Sequence, residues 1–60
     1  MNRVVEILMK RDDLSQEHAE RLVKETQDEI MMLYNPLDAD EVLMDYLGLE
    51  PDYLFDVLNF

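Results

Sequence analysis

The sequence predicts an all-α fold: a single helical domain over residues 1–60, built as a compact bundle of four short helices with the second one central. Three observations lead there. Apolar residues recur three and four positions apart along most of the chain, the period of a helix with one buried stripe. Breakers are scarce, with one Gly and two Pro among 60 residues, and they stand where the helical patterns end. Polar capping residues precede the apolar runs.

The spacing predicts helix 1 over Arg3 to Arg11. Asn2 is a suitable N-cap, and Val4, Val5, Leu8 and Met9 share one face. Asp12–Asp13 then makes a polar turn.

Helix 2 starts after Ser15, whose hydroxyl suits the cap position. Gln16 and Glu17 fill the first turn, where negative charge favours the helix dipole. Leu14 is placed to staple onto Ala19. Ala19, Leu22, Val23, Thr26, Ile30 and Leu33 form the inward stripe. Glu17–Arg21 and Glu20–Lys24 are pairs four residues apart in the favourable order. Asn35–Pro36 stops the helix, because the residue before proline is pushed out of the α region.

Helix 3 opens on Asp38-Ala39-Asp40-Glu41, which reads as a capping box, with Leu37 and Val42 at the staple positions. Val42, Leu43, Tyr46 and Leu47 are expected to face inward. Gly48 stands where a left-handed residue ends a helix, and Leu49 follows as its apolar contact. Pro51 suits the first position of helix 4, in which Leu54, Val57 and Leu58 continue the core and Phe60 is free or docked.

A chain of 60 residues buries only about 60% of the surface its unfolded form exposes, so stability is marginal without some further device. There is no Cys and one His, which excludes disulfides, thiolate zinc sites and multi-His metal sites. Efficient packing or oligomerisation is left. No apolar run approaches the length of a membrane span, and Glu6, Lys10 and Arg11 interrupt any signal-peptide core. The expectation is a cytoplasmic protein.

Charge is distributed unevenly. All five basic residues lie within the first 24 positions, balanced there by five acids, and residues 25–60 hold ten acids and no base. The whole net charge of −10 therefore belongs to that stretch. Such a segment repels nucleic acid and anionic membrane and attracts basic protein surface.

The segment Asp40 to Asn59, DEVLMDYLGLEPDYLFDVLN, resembles the second helix-turn-helix unit of the AraC family of bacterial transcription regulators. Gly48 falls at the turn, and Leu43, Leu47, Leu49, Leu54 and Val57 fall on the buried positions. The resemblance covers a third of the chain and implies two short helices joined by a tight turn. Met44 departs from the small residue, usually Ala, that the motif carries there. The positions that would face a major groove are Asp52, Phe55, Asp56 and Asn59, with no Arg or Lys to neutralise phosphate. The likeness therefore implies a fold and no direct nucleic-acid binding. In length and texture the chain also resembles small acidic proteins of bacteria and phages.

Residues that invite chemistry have plainer explanations. His18 lies near the start of helix 2, off the apolar stripe, without an orienting partner or pocket. Asp38, Asp40 and Glu41 suggest a cation loop, but Leu43 stands where a calcium loop needs Gly, and capping accounts for them. Asp52 and Asp56 are a carboxylate pair with no burial to raise a pKa. With no phosphate loop and no activated nucleophile, the chain is expected to be neither an enzyme nor a cofactor binder.

Two surface features suggest binding instead. Met31, Met32, Tyr34, Met44, Tyr53, Phe55 and Phe60 exceed what four short helices can bury, and of Met31, Met32 and Tyr34 at least one must point outward. Asp38, Glu41 and Asp45 share one face of helix 3, and Asp52 and Asp56 lie one turn apart on helix 4. The acids suggest docking on a basic, nucleic-acid-binding protein, even mimicry of nucleic acid, with Tyr46, Tyr53 and Phe55 as anchors. Met31, Met32, Tyr34 and Phe55 also suit a homodimer.

Overall fold

The computed structural model describes residues 2–60. The chain runs as α1 (Arg3–Arg11), α2 (Gln16–Met31), α3 (Ala39–Leu47) and α4 (Leu54–Leu58). Two 3-10 turns, Pro36–Asp38 and Pro51–Tyr53, lead into α3 and α4. Among the described residues there is no strand. The molecule is a short rod of 31 × 17 × 17 Å, with α2 packed against each of the other three helices.

The first two helices form as their caps dictate. Asn2 is extended, and its carboxamide oxygen accepts from the amides of Val4 at 2.8 Å and Val5 at 3.4 Å. The Ser15 hydroxyl accepts from the His18 amide at 3.1 Å. Between the helices Asp13 takes a left-handed conformation, φ 54°, which a short polar side chain tolerates. Leu14 packs on the core cluster that contains Ala19.

Salt bridging on α2 differs from expectation at one pair. Arg21 meets Glu17 at 3.6 Å, but Lys24 turns forward, to Asp28 and to the Gln27 side-chain oxygen at 3.1 Å each. Glu20 accepts from Gln16 instead. The reason is Gln27, a buried polar residue whose oxygen needs a donor, and Lys24 is the side chain within reach. Thr26, also buried, returns its hydroxyl to the Leu22 carbonyl at 2.8 Å.

The entry to α3 departs most from the sequence pattern. Asp38 makes no capping bond, because it already has helical angles, φ −81° and ψ −3°. A cap residue must be extended. Asn35 fills that role one turn earlier: it is extended, and its side chain accepts from the Leu37 amide at 3.0 Å. Pro36 follows at the first position of the turn, so the Asn–Pro pair starts the next helical segment. It does not end α2, which stops earlier, at Met31 with Met32 as its cap. Leu37 is exposed and staples nothing.

Within α3 the buried stripe is Ala39, Leu43 and Leu47, four apart. Val42 is half-buried at its edge. Tyr46, expected inside, is more than half exposed. Gly48 ends α3 with φ 65° and ψ 35°, and its amide returns to the Met44 carbonyl at 2.8 Å. Leu49 is buried beside it. Arg11 closes the same helix end from α1, donating to the carbonyls of Leu47 at 2.6 Å and Gly48 at 3.3 Å.

α4 buries Val57 and half-buries Leu54, but Leu58 lies outside the core, a second correction. A helix of five residues buries little by itself, and side chains from other helices hold it. Asn2 donates to the Asp56 carbonyl at 2.8 Å. Arg3 donates to the Asp56 carboxylate and lies over the Tyr53 ring, 4.5 Å from its centroid. Gln27 donates to the carbonyls of Val57 and Leu58 at 3.2 Å each.

The core is Val4, Val5, Leu8, Ala19, Val23, Leu43, Leu47, Leu49 and Val57. Each of its larger side chains contributes about 1.5–3 kcal/mol by leaving water.

Candidate docking surface

The described residues contain four ion pairs: Arg3–Asp56, Arg11–Asp12, Arg21–Glu17 and Lys24–Asp28. Hydrogen bonding to Arg11 holds the Asp12 carboxyl below its ordinary range. Among the described residues, only Asp28 and Asp56 of the acidic stretch receive a cation. Glu25, Glu29, Asp38, Asp40, Glu41, Asp45, Glu50 and Asp52 have no cationic partner among the described residues. Apart from half-buried Glu29 they are exposed, so their charge is directed outward.

The predicted acidic face divides in two. Asp38, Glu41 and Asp45 are exposed along α3 and the turn before it, and Asp52 is exposed at the entry to α4. Asp56 is withdrawn: it is half-buried and tied to Arg3, so it serves the fold. The same correction applies to Tyr53, half-buried against the core beneath the Arg3 guanidinium.

The apolar candidates are more exposed than the sequence required. Met31, Met32, Tyr34 and Phe55 all point outward, and Leu37, Met44, Leu58 and Phe60 join them. Met44 is more than half exposed. The sequence pattern puts Leu37 in the staple of a capping box that does not form. The signal was Pro36 before it, which moves the helical start to Asn35.

Tyr46 marks a second feature hidden in the sequence. Its phenol pKa is held above the ordinary range, first by desolvation and then by the facing Glu29 carboxylate, with Asp45 and Glu25 adding further negative charge. α2 packs on α3, and Glu29 is the α2 carboxylate whose charge acts most on Tyr46. Glu25 and Glu29 are one turn apart on α2, and that spacing was the available clue.

His18 is exposed. Among the described residues no group of His, Asp or Glu is placed to hold a metal, and no pocket is present. No helix there is long and apolar enough to cross a membrane. Comparison with family models, curated proteins and solved structures finds no match to this chain.

Proposed function

We propose that this protein is a small acidic binding module that docks on a basic protein, of the kind that itself binds nucleic acid, and acts there as an inhibitor or adaptor. The observation that carries the reading is the unpaired charge of residues 25–60: eight carboxylates without a cationic partner among the described residues, projecting from α2, α3 and the turns around α3. Self-repulsion among like charges destabilises a compact state, so a surface of this kind is most favourable when a partner neutralises it. Exposed aromatic and Met side chains among the acids supply the apolar contact that charge alone lacks. The helix-turn-helix likeness of residues 40–59 enters as geometry alone, since Asp52 and Phe55 stand where a DNA reader needs cations.

The test is binding of the captured partner at rising salt. Exposed ion pairs are screened over about 8 Å at physiological ionic strength, so affinity falls steeply. Glu41→Lys, Asp45→Lys and Asp52→Lys together abolish binding with the fold intact. A salt-independent complex that survives the reversals sinks the reading.

A second reading, a homodimer, is favoured by one observation: Met31, Met32 and Tyr34 lie on the surface together. It predicts a melting temperature that rises with protein concentration.

A further inference from the structure

We propose that the apolar corner made by Met31, Met32, Tyr34 and Leu37 is the anchor site for a cationic amphipathic helix of the partner protein; this rests on the basic-partner reading above. The four side chains are 71%, 79%, 104% and 84% exposed, at the end of α2 and in the turn into α3. Hydrogen bonds hold the backbone on either side of Tyr34. The Met32 amide donates to the carbonyls of Asp28 and Glu29, Leu33 to Ile30, Leu37 to the Asn35 side chain and Asp38 to the Asn35 carbonyl. In this stretch Leu33 is half-buried, while the other four are exposed.

Charge selects the occupant. The corner is preceded by Glu29 and followed by Asp38, Asp40 and Glu41, and residues 25–60 hold no base. A second copy would bring the same acids against these, which costs free energy at close range. An anionic lipid surface is repelled for the same reason. A helix with aliphatic residues on one face and Lys or Arg on its flanks meets both halves of the surface. Unbranched Met side chains adapt to its apolar face, Tyr34 supplies a rigid anchor, and the carboxylates meet its cations.

The test uses the whole protein and a synthetic peptide of about 18 residues, some five helical turns, with Leu on one face and Lys on the other. A control peptide has the same composition in an order that scatters Leu around the helix. Fluorescence anisotropy at low salt follows binding to wild type and to Tyr34→Ser/Leu37→Ser, and circular dichroism checks that the variant is folded. The segregated peptide is expected to bind about tenfold or more tightly than the scattered one. The variant is expected to lose that advantage, and the peptide to shift the amide resonances of residues 31–37. Equal binding of the two peptides, or an unweakened variant, overturns the anchor and leaves the basic-partner reading standing. No binding of either peptide overturns both. Dimeric wild type in sedimentation that becomes monomeric on Tyr34→Ser/Leu37→Ser also overturns the proposal, because a second copy would then occupy the corner.

Discussion

The side-chain amide of Gln27 donates to the backbone carbonyl of Val57 at 3.2 Å, joining the later part of the longest helix to the end of the shortest. The same nitrogen serves Leu58, and Lys24 holds the Gln27 oxygen. One buried polar residue thus closes the carbonyl end of α4, which is too short to be stable alone.

Gln27→Leu keeps the volume and removes the donor. Leaving buried carbonyls unpaired costs about 1–3 kcal/mol. A urea titration reads this as a lower midpoint with an unchanged slope. A variant as stable as wild type would remove Gln27 from the account of α4.

Gly48→Ala is expected to cost about 1–2 kcal/mol, the penalty for an L side chain in the left-handed region. A Cβ there would meet only ordinary contacts, the nearest being Arg11 Nη1 at 3.6 Å, so the cost lies in the backbone. Thermal unfolding should show it as a drop of roughly 4–8 °C per kcal/mol for a chain of this size.

Asp52 and Asp56, alike in sequence, should separate on charge reversal. Asp56→Lys sets two cations together at Arg3 and disturbs the contact between α1 and α4. Asp52→Lys leaves the fold as it is. The pair with Arg3 is partly exposed and worth about 0–1 kcal/mol, so the loss at Asp56 combines that amount with new repulsion. Equal stability of the two variants in urea would contradict the division of the acidic face.

Tyr46 should titrate above free tyrosine. In the unfolded chain its phenol ionises near its ordinary value of about 10, whereas the folded state keeps the proton to higher pH. Its contribution to stability is therefore complete below the unfolded value and is lost as pH rises from there through the folded pKa. In a Tyr34→Phe/Tyr53→Phe background, phenolate absorbance reports Tyr46 alone. Glu29→Gln moves the titration part of the way down, because desolvation, the larger cause, remains. No movement would separate Tyr46 from the seam with α2.

Local signals carried most of the fold. Asn2, Ser15, Gly48 and Pro51 act within a few residues of themselves, and the apolar spacing around them leaves one arrangement for each helix. Asp38 has the pattern of a cap without its role, because two start signals lie within four residues and the earlier, Asn35–Pro36, prevails. Gln27 occupies a stripe position between Val23 and Ile30, yet a polar residue there looks like an interruption until Val57, 30 residues on, comes beside it. Arg3 and Asp56, 53 positions apart, have no local sign of pairing. The candidate surface was legible in composition, since a stretch of acids with no base cannot neutralise itself. Its outline depended on distant contacts that withdraw Asp56 and Tyr53 and expose Leu37 and Tyr46.

The most direct test of the central claim is capture from lysate with tagged wild type and with Glu41→Lys/Asp45→Lys/Asp52→Lys, each washed at low and then high salt. A basic, nucleic-acid-binding protein is expected to be held by wild type, released by salt and missed by the variant. A partner retained equally by both proteins through the high-salt wash would contradict the claim.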